Sequence, residues 1–137
     1  MARILHLFAG LALLTLGGCT TVNGPACPVG QEPMRTAQLF FGQNVGGKPA
    51  VSDADFRAFV DRELTPRFPG GLTVLDGGGQ WKGDENKMIR EAAKVVVLVL
   101  PAKGDSGAKL NEARKAYVQA FHQNSVMLVT QPACVAF

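Results

Sequence analysis

Residues 88–101 read Met88-Ile89-Arg90-Glu91-Ala92-Ala93-Lys94-Val95-Val96-Val97-Leu98-Val99-Leu100-Pro101, and the fold turns on what they form. Val95 to Leu100 is an unbroken run of valine and leucine closed by a proline, the pattern of a strand covered on both faces. Met88 to Lys94 is open to two readings. Residue propensity favours a helical turn, whereas the position directly ahead of Val95 favours the first half of one long strand. Taken as strand, the whole segment pairs naturally with what precedes it. Leu72-Thr73-Val74-Leu75 starts a strand that continues through Gly77-Gly78-Gly79 towards Trp81, and Gly83-Asp84-Glu85-Asn86 supplies the turn between the two.

Working outward, Thr36-Ala37-Gln38-Leu39-Phe40-Phe41 alternates and is rich in aromatics, so it reads as the first strand. Ser52-Asp53-Ala54-Asp55 has the S-x-x-D spacing of a capping box. Behind it Phe56, Phe59, Val60 and Leu64 recur at helical spacing until Pro66 ends the helix. Leu110, Ala113, Tyr117, Ala120 and Phe121 mark one face of a second helix. Val126 to Val129 begins a last strand that runs towards Cys134. The order β-α-β-β-α-β predicts an α+β, ferredoxin-like two-layer sandwich: a four-stranded antiparallel sheet with two helices on one face. In its usual strand order, 4-1-3-2, the first and last strands are antiparallel neighbours.

Two helices cover one face of such a sheet, yet Val95–Leu100 is apolar towards both. Phe40 points away from Leu39 and Phe41, and Trp81 is a candidate to join it on the uncovered face. A monomer rarely exposes a large apolar patch, so this face calls for a second subunit, a ligand or the chain's own terminal segment. A homodimer or self-cover is the simplest of these.

The N-terminus sets the location. Met1-Ala2-Arg3 gives a short positive start, and Ile4 to Leu16 is almost wholly apolar. That run falls short of the roughly 20 residues a membrane-spanning helix needs and matches a signal-peptide core. Leu16-Gly17-Gly18-Cys19 follows, and this segment resembles the lipobox of bacterial lipoprotein precursors. The resemblance implies cleavage after residue 18 and acyl chains, palmitate among them, on Cys19. Each buried CH₂ adds ~0.8 kcal/mol of membrane affinity, so several chains make a stable anchor. Thr20 after the cysteine, rather than aspartate, points to the periplasmic face of the outer membrane. The expected organisation is therefore a signal peptide over 1–18, a flexible tether over 19–34 marked by Asn23-Gly24-Pro25, Pro28 and Pro33, and the ferredoxin-like domain over 35–137.

Removing residues 1–18 leaves 119 residues, enough for one domain with its own core. It also leaves 13 basic residues against 11 acidic ones, with no cluster beyond Arg114-Lys115, which excludes a nucleic-acid footprint. Cys27 and Cys134 remain after Cys19 is committed to lipid. They are either two separate thiols or one bridge, and two cysteines with the lone mature His122 do not make a metal site. Because the first and last strands are neighbours, both cysteines fall at the same end of the sheet, and a disulfide is predicted.

No catalytic constellation stands out. Asp76-Gly77-Gly78-Gly79 lacks the Lys-Ser/Thr of a phosphate loop and reads as a bulge or bend in the hairpin. His122 reads as a solvated side chain, and Tyr117 as a core residue. Glu63/Arg67 and Asp53/Arg57 are i,i+4 surface pairs. Gln80, Trp81 and Glu91, placed near one another by the long hairpin, together with Tyr117 form the one candidate surface site. No cofactor is implied.

Leu39-Phe40-Phe41-Gly42, Thr65-Pro66-Arg67-Phe68-Pro69-Gly70-Gly71-Leu72-Thr73-Val74 and Gly79-Gln80-Trp81 resemble a family catalogued as domain of unknown function 3574. Glu91, Tyr117, Phe121, Ser125-Val126 and Cys134-Val135-Ala136-Phe137 extend the resemblance over the whole mature domain. It implies a small exported bacterial protein and brings no catalytic residues with it. The expected function is a non-enzymatic binding or interaction module of the cell envelope. The alternative is a small enzyme resembling dimeric α+β-barrel oxygenases or isomerases, with Tyr117, Gln80 or Glu91 converging on a pocket.

Overall fold

The computed structural model describes residues 26–83 and 85–137. The segment read as a signal peptide, residues 1–18, and Cys19 lie outside the described residues. Strand β1 (Glu32–Gly42) leads into a small hairpin of β2 (Asn44–Val45) and β3 (Lys48–Pro49), then helix α1 (Asp53–Phe59). Strands β4 (Thr73–Lys82) and β5 (Met88–Pro101) form the long hairpin, followed by helix α2 (Ser106–Phe121) and strand β6 (Met127–Val135). The main sheet runs β4-β5-β1-β6, antiparallel throughout, which is the expected ferredoxin-like order. Met88–Lys94 is strand along its whole length. Its helical propensity yields to a continuous ladder with β4, from Lys82 opposite Met88 to Asp76 opposite Lys94.

That ladder has no extra residue, so Gly77-Gly78-Gly79 is not a bulge. Close packing asks for glycine only at Gly77; a side chain at Gly79 would make an ordinary contact. A Cβ at Gly77 would come within 3.3 Å of a Val95 methyl, and one at Gly79 would meet the Trp81 ring at 3.7 Å.

The helix-facing side of the sheet makes the core. Ala37, Leu39 and Phe41 of β1 and Val96, Leu98 and Leu100 of β5 are buried against Phe56, Phe59 and Leu64 from the first helical segment and Leu110, Ala113 and Tyr117 from α2. Phe41, Phe56, Phe59, Tyr117 and Phe121 form one aromatic cluster with mostly edge-on contacts. Phe41 and Phe59 lie 4.7 and 5.0 Å from Tyr117, centroid to centroid. Edge-on geometry sets ring rims against ring faces, a favourable quadrupole arrangement. Ala120, expected on the apolar face, is exposed. Ala116 and Val118 pack against the core partly buried, with Tyr117 and Phe121 at i,i+4 as its anchors.

The capping box forms as read: the Asp55 N–H donates to Ser52 Oγ at 3.1 Å and the Ser52 N–H donates to Asp55 Oδ2 at 3.2 Å. α1 continues as a wider π-helical turn over Val60–Leu64, closed by the Thr65 N–H donating to Val60 O. Pro66 has no N–H to extend it. Arg67 and Glu63 pair at 2.8 Å. Asp53 does not pair with Arg57. Its carboxylate lies 2.7 Å from the ammonium of Lys94, whose side chain is buried on the helix side of the interior strand β5 and also contacts Asp76. A lysine drawn out of water needs anionic partners more than a surface arginine does.

β1 starts at Glu32, so the last residues of the stretch read as tether are strand. Pro33 is tolerated because β1 has only β6 beside it there; pairing with β5 begins at Met34. Pro33 faces Cys134 across the ladder, and Cys27 lies just ahead. The two cysteines form a disulfide with Cα atoms 5.5 Å apart.

Candidate functional site

The sheet's other face is open among the described residues. Thr36, Gln38 and Phe40 of β1 line up with Val99, Val97 and Val95 of β5, and Leu75 and Met127 flank them on β4 and β6. Leu75 and Met127 are half exposed and Val99 is 38 % exposed. Between Glu32 at the start of β1 and Glu91, where β5 has run past the end of β1, this face carries no charged side chain.

That overrun creates the site. β1 ends at Gly42, opposite Ala93, while β5 and its partner β4 extend beyond it to Met88 and Lys82. The extension forms one wall of a groove of about 970 Å³. Trp81 and Ile89, cross-strand neighbours, project from this wall, with Trp81 46 % exposed. The β2–β3 hairpin makes a second wall, turned by Gly46 and Gly47 at φ 57° and 76°. The loop after α2, from His122 to Ser125, makes a third, and Phe40, Val95 and Met127 form the floor. The volume and the mainly apolar lining with a few polar groups are those of a small-molecule site.

At the groove's inner end, Glu91 turns its carboxylate towards the vacant side-chain position of Gly42 and accepts the Asn44 N–H at 3.3 Å. Gln123 donates to Asn44 O at 3.0 Å and pins the same loop to α2. Beneath them the hydroxyl of Tyr117 donates to Gly42 O at 2.8 Å. Burial, reinforced by the nearby charge of Glu91, pushes the ionisation of that phenol well above its ordinary range. Tyr117 is therefore held as a neutral phenol that donates to the backbone.

The structure brings Trp81 and Glu91 into one groove and sets Tyr117 just under it. Gln80 does not join them. Alternation along β4 turns it to the other face, where its Oε1 accepts from Arg90 at 3.0 Å. His122, read as solvated, is exposed as the left-handed cap of α2 and also lines the groove. The β2–β3 hairpin and the loop after α2 went unread in the sequence. Val45-Gly46-Gly47-Lys48 carries the two-residue turn signal that marks the hairpin. Among the described residues no group of His, Cys, Asp or Glu is placed to hold a metal ion, and no helix is long and apolar enough to cross a membrane.

Sheet, helices and groove together define a small α+β ferredoxin-like domain with a ligand-sized concavity on its open face. The chain belongs to the family described as "Protein of unknown function (DUF3574)", whose profile matches residues 36–137. Among solved structures it is similar to a phage SAM lyase in complex with S-methyl-5′-thioadenosine, with a TM-score of 0.59 and 17 % identity, over 82 % of this chain and 95 % of that one. The apo state of phage SAM lyase matches with a TM-score of 0.56 and 19 % identity, over 77 % and 90 % of the two chains. At this identity the likeness is one of fold. No curated protein matches the chain.

Proposed function

We propose that the protein is a non-enzymatic binding module of the bacterial envelope, anchored by lipid on Cys19, whose groove beneath the β4–β5 extension takes a small ligand. The observation that supports it is a ligand-sized groove with an exposed aromatic side chain on one wall and a single carboxylate at its end. Trp81 is the only tryptophan of the chain, so its fluorescence reports on the groove alone. Titration of the detergent-purified protein with S-methyl-5′-thioadenosine, the ligand in the phage lyase complex, should shift or quench that emission saturably. Emission that stays constant with this compound and with a panel of small aromatic amines and alcohols would count against the groove as a site.

The enzyme reading draws support from the fold shared with phage SAM lyase. Against it stands the site's chemistry: Tyr117 is locked to a backbone carbonyl and one oxygen of Glu91 is held by Asn44. Consumption of SAM by the purified protein, followed by chromatography, decides between the two.

The rest of the open face suits a second copy of the chain. Between Glu32 at one end and Glu91 at the other, Met34, Thr36, Gln38, Val97, Val99 and Val129 are uncharged, so the middles of two such faces meet without like-charge repulsion in an isologous contact. Light scattering on the purified protein should return twice the monomer mass, and a Val99→Lys variant should return the monomer.

A further inference from the structure

We infer that the groove selects a cation: the Glu91 carboxylate beside Trp81 is arranged to receive an organic ammonium that carries a flat apolar group. This rests on the groove being a ligand site and specifies what it takes.

Glu91 is partly buried yet has no ion-pair partner among the described residues. Asp53 and Asp76 share Lys94, and Glu63 and Glu112 lie against Arg67. Its only hydrogen bond there is the Asn44 N–H to Oε1, which leaves Oε2 without a partner. The residue facing it across the ladder is Gly79, so no opposite side chain covers it. On the other side the carboxylate fills the place where a Cβ at Gly42 would sit, which fixes its position at the groove's end.

The remaining charge-capable groups on the lining are Lys82 and His122. Lys82 sits at the far tip of the hairpin and alternates to the face opposite Trp81, and His122 is on the other rim. Glu91 is thus the one acidic group on a lining that also carries Trp81. A half-desolvated carboxylate gains most from a ligand that supplies the missing positive charge. An exposed indole face adds attraction for the same charge and a surface for a ring. Carboxylate and phosphate ligands are disfavoured by the same field.

The test compares 2-phenylethylammonium with its neutral analogue 2-phenylethanol on the full-length protein at fixed detergent concentration, read by Trp81 fluorescence. The ammonium should bind about tenfold more tightly, and added salt should erode that preference without affecting the alcohol. Glu91→Gln, which keeps an acceptor for the Asn44 N–H, should bind the alcohol as wild type does and lose most of the preference for the ammonium, leaving only the part the Trp81 face supplies. Equal binding of the two probes by wild type overturns the inference and leaves the groove standing as a site. A preference undiminished in E91Q also overturns it. If neither probe moves the emission, the groove reading falls as well. The wild-type comparison and its salt dependence decide the matter even where E91Q folds poorly.

Discussion

Replacing Gly42 by alanine should destabilise the protein only while Glu91 is present. Gly42 has an ordinary backbone conformation, so alanine meets no torsional penalty there. Its Cβ would lie 2.0 Å from Glu91 Oε1, 3.0 Å from Glu91 Cδ and 3.3 Å from Gln123 Oε1. The carboxylate is the free end of a flexible side chain, so it will move and the strand will stay. Leaving costs it the Asn44 N–H, worth about 1 kcal/mol at this length and exposure, and a strained rotamer of about 0.5–1 kcal/mol. Against this, alanine stiffens the unfolded chain and returns about 0.5 kcal/mol. The net loss is then about 1–1.5 kcal/mol, a fall in Tm of about 4–8 °C for a domain of this size. In a Glu91→Ala background the collision is gone, and the same G42A change should raise stability by about 0.5 kcal/mol. Urea unfolding of the four proteins, followed by far-UV circular dichroism, gives the coupling energy directly. A value of about 1.5–2 kcal/mol is expected; one below about 0.5 kcal/mol, the usual error of additivity, would refute the placement of the carboxylate against Gly42.

Four further outcomes are expected. Replacing Cys27 and Cys134 together by serine opens a loop of 107 residues and should cost about 3–5 kcal/mol in denaturant unfolding. Tyr117→Phe removes the buried hydrogen bond to Gly42 O and should cost about 1–2 kcal/mol; an unchanged midpoint would show that water replaces it freely. Lys94 beside Asp53, Ser52 beside Asp55 and Arg67 beside Glu63 hold those three carboxyls below their usual range. Their stabilisation is complete above the unfolded-state values and is lost as pH falls from about 4 downward, so acid titration of the midpoint should decline there. Lys94, raised chiefly by Asp53, acts in the opposite sense, and its share is lost as pH climbs past about 10.5. Cys19→Ser should abolish incorporation of labelled palmitate, and labelling that persists would disprove the lipid anchor.

The alternation of Thr36–Phe41 and the apolar run Val95–Leu100 are governed by local pattern, and both were legible in the sequence. So was the disulfide, because strand order alone brings Cys27 and Cys134 to one end of the sheet. Strand ends were harder. Pro33 reads as a breaker from local rules, and only the absence of β5 beside it explains why a strand begins there. Lys94 was missed for a similar reason. Local pattern assigns Lys94 no partner, but its register sends it to the helix side, where Asp53 and Asp76 receive it. At the site, Trp81 and Glu91 were found from hairpin proximity. Gln80 was wrongly grouped with them because proximity along a hairpin ignores which face a side chain takes.

The groove, the glycine triplet and the lone carboxylate share one origin in chain length. β5 has 14 residues and β1 has 11, and the two part company at Gly42 and Ala93. Beyond that point, among the described residues, only the Gln43 N–H to Ala92 O bond ties β1 to the hairpin and no further strand pairs with it, so side chains there contribute little to the core. Residues can then be chosen for something other than stability. Gly77 and Gly79 face the groove and give up packing that a β-branched residue would supply; in return they clear the surface beside Trp81 and leave Glu91 uncovered. A hairpin selected only to fold would fill those positions and pair that charge. The local costs are concentrated where β4 and β5 outrun the sheet, which is where sequence and fold part and where a ligand best accounts for the difference.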